Sequence, residues 1–225
     1  MIELNNVTKI YNKGKKNEFV ALKEVDFKVE DGEFIAITGT SGAGKSTLLY
    51  VLSGIDTYES GTCQFDGVEL GKLGDVKMSE LRNKNIGFVM QDFALIEDFT
   101  VMENVMLPLQ FMKLKSKSKK ELAMEAMQKV GIEELKNKQV NQLSGGQKQR
   151  TAIARAIVNH PKYLFADEPT GALDSNTSKD IMNLFAQLNS EGQTIIVVTH
   201  DPEVAARCGR RVRIEDGELI CQEEI

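Results

Sequence analysis

The stretch "GTSGAGKST", Gly39 to Thr47, has residue types and spacing that can wrap phosphate. Gly39, Gly44, Lys45 and Ser46 fit G-x-x-x-x-G-K-[ST], after the apolar run "FIAIT" and before "LLYVLSG". Glycines let the backbone curl until N–H groups point inward, and the following helix adds its positive end. Thr40, Ser41, Gly42, Ala43 and Thr47 complete the cradle. Lys45 brings a point charge to the β- and γ-phosphates of a nucleotide, and the Ser46 hydroxyl can hold Mg²⁺.

Downstream, "YLFADEP" places Asp167 at the end of an apolar run. A buried carboxylate is costly without a cation to meet it, and Mg²⁺ is such a cation. Glu168 follows, placed to orient or deprotonate a water. His200 ends the run "TIIVVT", ahead of Asp201 and Pro202, where it can reach a γ-phosphate. Gln91 ends "IGFVM". Its amide can touch Mg²⁺ or the attacking water, although glutamines at strand ends are common. A second glycine loop, "LSGGQ", heads another helical stretch, with Ser144, Gly145, Gly146 and Gln147 in position to bind an anion.

The elements that must position these groups are legible in outline. The runs Phe34 to Thr38, Ile86 to Met90, Tyr163 to Ala166 and Thr194 to Thr199 are β-branched or aromatic without clean alternation. Such runs suit parallel strands buried on both faces. Ligands of open α/β sheets bind beyond the carboxyl ends of the strands, so the polar groups that end these runs predict one shared site. Val25, Phe27 and Val29 alternate with Asp26, Lys28 and Glu30, a strand with one buried face, and "IELNNVTKIY" can pair with it. Helical spacing between Gln91 and Leu143 places Leu122, Ala126, Met127 and Val130 on one side. Met102, Met106, Met112, Met124 and Met127 read as core fillers. The five lysines of "KLKSKSKK", residues 113–120, read as a solvated loop at the tip, with a lipid-facing patch as the alternative. Asp216-Gly217 marks a closing hairpin.

Composition narrows the class. A chain of 225 residues makes one large domain, or a core with a subdomain. A charged fraction of 27% and a net charge of -5 argue against nucleic acid as the main partner. Cys63, Cys208 and Cys221 show no metal or disulfide spacing, which predicts a reducing cytosol. "MIELNNVTKIY" lacks a signal-peptide pattern, and no run of 18 apolar residues predicts a membrane span.

Taken together, these motifs resemble the ATP-binding subunit of an ABC transporter. "GTSGAGKST" matches its P-loop, Gln91 its Q-loop, "LSGGQ" its signature, "YLFADEP" its Walker B motif, "GALD" its D-loop and His200 its switch histidine. "FALIEDFTVMENVMLPL" and "ADEPTGALDSNTS" resemble the MacB-like and LolD-like group of macrolide, lipoprotein-releasing and antimicrobial-peptide transporters. Gly171 stands in the D-loop where much of the superfamily has serine, although this group commonly has glycine.

The resemblance implies an α/β P-loop NTPase core with a mainly parallel sheet, an N-terminal antiparallel β subdomain and a helical subdomain at about residues 92–160, all one domain over 1–225. It implies an ATPase using ATP and Mg²⁺, with Glu168 and His200 catalytic. Tyr11 would stack on adenine, residues Gly39 to Thr47 would hold phosphates, and Ser46, Gln91 and Asp167 would serve the metal. The signature, with Asp174 of the D-loop, would act in trans across an ATP-sandwich homodimer. The implied partner is a separate transmembrane permease, coupled through the helical part after Gln91, which places the chain on the inner face of the cell membrane. A repair ATPase would carry a long coiled-coil insertion, and a translation factor usually carries two such cassettes. An ATPase that regulates a cell-wall or division complex without transport carries the same motifs, so that alternative stays open.

Overall fold

A computed structural model describes residues 1–224. The chain opens with β1 (Ile2–Tyr11) and β2 (Phe19–Val29), paired antiparallel. Val25, Phe27 and Val29 are buried while Asp26, Lys28 and Glu30 are exposed, as the alternation requires. Next come β3 (Phe34–Thr38), α1 (Lys45–Leu52), β4 (Ser60–Phe65), β5 (Val68–Glu69), α2 (Asp75–Asn85) and β6 (Ile86–Val89). Three helices follow: α3 (Val101–Met106), α4 (Ser116–Lys129) and α5 (Gly145–Ile157). The chain then runs through β7 (Tyr163–Asp167), α6 (Ser175–Ser190), β8 (Thr194–Val198), α7 (Pro202–Ala205), β9 (Arg210–Glu215) and β10 (Glu218–Glu224).

Two sheets result. The antiparallel one has the order β2-β1-β4-β5, and the larger one β10-β9-β3-β8-β7-β6. In the larger sheet β3 is parallel to β8 and β9, β7 is parallel to β8 and β6, and only β10 runs antiparallel. The four apolar runs therefore do form parallel strands, and β3 lies between β9 and β8. Asp216 and Gly217 both take positive φ, 47° and 83°, in the turn that joins β9 to β10.

The large sheet divides two apolar layers. Ile35, Ile37, Tyr163, Phe165, Ile196 and Val198 pack with α1 and the antiparallel sheet. Phe34, Ala36, Leu164, Ala166, Ile195 and Val197 pack with α3, α4, α5 and α6. Consecutive residues of one strand thus serve opposite layers. Burying each large side chain contributes about 1.5–3 kcal/mol, so both faces help to hold the sheet between its neighbours.

The helical stripe behaves as its spacing predicts. Ala126, Met127 and Val130 are buried, with Leu122, Met102, Met106, Met112 and Met124 packed around them. The lysine cluster departs from the loop reading, because Lys117, Lys119 and Lys120 lie in the first turns of α4. Lysine is a good helix former, and Ala123 anchors that turn in the core. The antiparallel partners β4 and β5, and the helix α2, were not legible. Helix α2 buries no residue at all, so it carries no apolar stripe to read. Among the described residues, no helix is long and apolar enough to cross a membrane.

Candidate functional site

The loop after β3 is fixed by close backbone approaches. Gly39 has φ 149°, and a Cβ there would lie 2.1 Å from the carbonyl oxygen of Ile214 on β9. Gly44 has φ 103°, and a Cβ there would lie 2.5 Å from the carbonyl oxygen of Ala21 on β2. Only glycine fits either place. The Lys45 ammonium turns back over the loop and donates to the carbonyls of Gly39 (3.0 Å) and Thr40 (2.8 Å). Helix α1 starts at Lys45, so its unpaired N–H groups open onto the same loop.

Asp167 ends β7 beside that helix. Its carboxylate accepts from the Ser46 hydroxyl at 3.2 Å on one oxygen and the Tyr50 hydroxyl at 3.3 Å on the other. Burial pushes the Asp167 carboxyl above its usual range and the charge of Glu168 adds to this, while the Ser46 and Tyr50 bonds and Lys45 pull it back. One carboxylate with an adjacent hydroxyl is a hard-oxygen donor set. It suits Mg²⁺, which takes one or two protein ligands and completes its shell with phosphate and water. The residues present therefore fit MgATP.

Glu168 follows with φ 46°, and its N–H donates to the carbonyl of Val198. This left-handed backbone, unusual for a non-glycine residue, turns the side chain out of the sheet. Its Oε1 lies 2.7 Å from His200 Nδ1. His200 and Glu168 line a cavity of 310 Å³ with Gly171 and Leu173, and His200 also lines a cleft of 530 Å³ with Gly39 and Thr40. The phosphate loop, Asp167, Glu168 and His200 are thus one neighbourhood at the carboxyl ends of β3, β7 and β8.

Gln91 follows β6 and its amide nitrogen lies against Gly171, where an added Cβ would be 3.2 Å away. Among the described residues no hydrogen bond joins Gln91 to Ser46 or Asp167. Tyr11 reaches the loop from β1: its hydroxyl donates to Asp56 at 2.7 Å and lies 3.4 Å from Thr47 Oγ1. The Lys9 ammonium sits 4.8 Å from the Tyr11 ring centroid and is paired with Asp56 at 2.8 Å, so it occupies one ring face.

The second glycine loop lies elsewhere. Ser144 caps α5, its hydroxyl accepting from the Gln147 N–H while the Gln147 side chain accepts from the Ser144 N–H. Gly145 lies against Leu173, and a Cβ on Gly146 would lie 2.7 Å from Thr177 Cγ2. Asp174 caps α6 through the N–H groups of Asn176 and Thr177, both at 3.0 Å. Among the described residues, no hydrogen bond or ion pair links residues 144–147 to residues 39–47.

Sequence reading missed Tyr50, Asp56 and the buried Gln149, which donates to the Pro169 carbonyl at 2.6 Å. For Tyr50 a signal existed: it stands four residues after Ser46, one helical turn along the same face. Asp56 and Gln149 carried none, since their partners are distant in sequence.

Residues 22–171 match the family model described as ABC transporter. The chain belongs to the ABC transporter family. This ABC cassette is 47% identical over 223 residues to the uncharacterized ABC transporter ATP-binding protein YvrO of Bacillus subtilis, covering 99% of this chain and 97% of that one. It is 42% identical to the bacitracin export ATP-binding protein BceA of Halalkalibacterium halodurans, covering 99% and 88%. It is also 39% identical to the macrolide export ATP-binding/permease protein MacB of Neisseria meningitidis, covering 98% of this chain and 34% of that one. The dimeric structure of the cassette MJ0796 superposes with TM-score 0.91 at 42% identity, covering 100% and 98%. A second MJ0796 structure is a post-hydrolysis state bound to ADP and Pi. The cassette described here is an α/β P-loop ATPase of the MacB-like group, working with ATP and Mg²⁺.

Proposed function

We propose that this cassette hydrolyses MgATP as one half of a homodimer and drives a separate membrane permease of an exporter or extractor. Lys45 and the loop Gly39 to Thr47 hold the phosphates, and Tyr11 offers its remaining ring face to the base. Ser46 and Asp167 would hold Mg²⁺, with Gln91, which follows β6 and lies against Gly171, as the third group assigned to it; the ion would supply positive charge against the phosphates. Glu168 takes the proton of the attacking water, while His200, bonded to Glu168 through Nδ1, keeps that carboxylate turned toward the γ-phosphate.

One observation carries the dimer: among the described residues the signature has no hydrogen bond or ion pair with its own phosphate loop and leaves its head exposed. Ser144 and Gly145 are exposed, so their anion-binding N–H groups are available to a second chain's nucleotide. The relative MJ0796 is described as a dimer.

The membrane partner is proposed from a groove. Val76, Ile86, Leu107, Pro108, Phe111 and Met112 line an open, mainly apolar groove of 960 Å³ between α2 and the segment after α3. Phe111 is 83% exposed and Val76 73% exposed, a strongly apolar surface to leave in water. A short amphipathic helix of a permease fits such a groove, and the export roles in the names of relatives favour that occupant. The cassette would then sit in the cytoplasm, peripheral to the inner face of the membrane, with residues 92–160 moving as a coupling unit.

Phe111→Asp tests this with a permease gene from the same locus. The variant should keep ATP binding in solution but lose co-fractionation with membranes. Unchanged membrane retention would exclude the groove as the docking site.

A further inference from the structure

The Tyr50 hydroxyl is the second donor to Asp167, and nothing in the assigned motifs uses it. Helix α1 presents Ser46 and Tyr50 on one face, four residues apart, so one helix grips both oxygens of one carboxylate: Ser46 takes Oδ1 and Tyr50 takes Oδ2. The ring of Tyr50 is itself held. It lies 5.9 Å from the ring of Phe88 on β6, which stacks on Phe165 of β7 at 6.2 Å. Phe165 is two residues before Asp167 on the same strand. A ladder of three rings thus ties the hydroxyl to the strand whose carboxylate it meets.

We infer that Tyr50 is a positioning residue for the metal site, holding the Asp167 carboxylate by Oδ2 so that its other oxygen and Ser46 face the cation. The inference rests on the reading of Ser46 and Asp167 as the Mg²⁺ ligands. Ligating carboxylates are generally hydrogen-bonded from behind, and losing such a partner weakens metal binding about 10–100-fold. At 3.3 Å this bond is longer than a strong hydroxyl–carboxylate bond, which points to the low end of that range. The Phe88 contact supplies what the long bond lacks, because a ring fixed on one side has few other places to put its hydroxyl.

The test is Tyr50→Phe, read without turnover. Mn²⁺ binding is followed by electron paramagnetic resonance in the presence of a non-hydrolysable ATP analogue, and analogue binding is measured separately in EDTA. The expected result is about 10-fold weaker Mn²⁺ binding with analogue affinity in EDTA unchanged. Equal Mn²⁺ affinity in both proteins overturns the inference, and so does an equal loss with and without metal, which would mark Tyr50 as a mere brace of α1. If the Phe variant unfolds at a lower temperature, Tyr50→Leu separates hydroxyl from ring. A Leu variant matching Phe in Mn²⁺ affinity keeps the hydroxyl as the sole cause, whereas a Phe variant that binds Mn²⁺ like wild type while Leu loses it assigns the effect to the ring and overturns the inference. Failure of the wild-type protein to bind Mn²⁺ with nucleotide would instead overturn the metal-site reading itself.

Discussion

Glu168 Oε1 lies 2.7 Å from His200 Nδ1, joining the residue after β7 to the residue pair after β8. With Nδ1–H donating, the imidazole leaves Nε2 as its outward nitrogen, and the carboxylate keeps one oxygen for a water. Glu168→Gln should retain the fold and lose about 10²–10⁴ in hydrolysis rate, the size of a general-base contribution. The variant should also form a dimer with MgATP and remain a monomer with MgADP, as light scattering after size exclusion will read. Adding Ser144→Arg should abolish that dimer. Dimerisation with ADP, or despite Ser144→Arg, would refute the role of the signature across the interface.

Lys45→Ala should remove most ATP binding. The ammonium folds over this loop, bonded to the carbonyls of Gly39 and Thr40, and no other residue from Gly39 to Thr47 carries a charge. Fluorescent nucleotide titration checks it. Tight binding with near-normal turnover would sink the phosphate-loop assignment.

Asp167→Asn should stabilise the protein in EDTA at neutral pH while abolishing Mg²⁺ binding. Burial raises the Asp167 carboxyl above its usual range, and Glu168 adds to it. A raised folded pKa means that the carboxyl's contribution to stability is complete below the unfolded pKa and is lost as pH rises through the folded one. Neutral Asn removes that loss. Thermal unfolding from pH 4 to 8 should show wild type falling relative to the variant as pH rises; parallel curves would contradict the burial cost.

Gly146→Ala should destabilise by about 1 kcal/mol, the low end for overpacking, since its Cβ would meet Thr177 Cγ2 at 2.7 Å. Thr177 cannot simply turn aside, because its hydroxyl bonds Asp174 at 2.6 Å. Thr177→Ser removes the offending methyl and keeps the hydroxyl, so the double variant should regain the lost stability. Chemical denaturation of the four proteins in the cycle measures this.

Much of this was legible in the sequence, for a physical reason. The four parallel strands announced themselves because burial on both faces demands continuous apolar runs, and the phosphate loop because its glycines stand where backbone meets backbone. The strand order was not legible: pairing of β3 with β9, residues far apart in the chain, leaves no local mark. Nor was the left-handed turn at Glu168, since glutamate declares no such preference. The loop Ser144 to Gln147 was recognisable as a helix start, yet its contacts with Leu173 and Thr177 came only from the fold.

The division of each strand between two layers bears on heredity as well as stability. In β3, Ala36 answers to the helical layer and Ile37 to the phosphate side. Side chains of α3 and α4 that pack on Ala36 can therefore change without disturbing those of α1 that pack on Ile37, whereas the signature at the head of α5 ties part of the helical layer to the nucleotide. The sheet partitions the mutational load, so that much of the helical layer can drift while the phosphate side is held fixed.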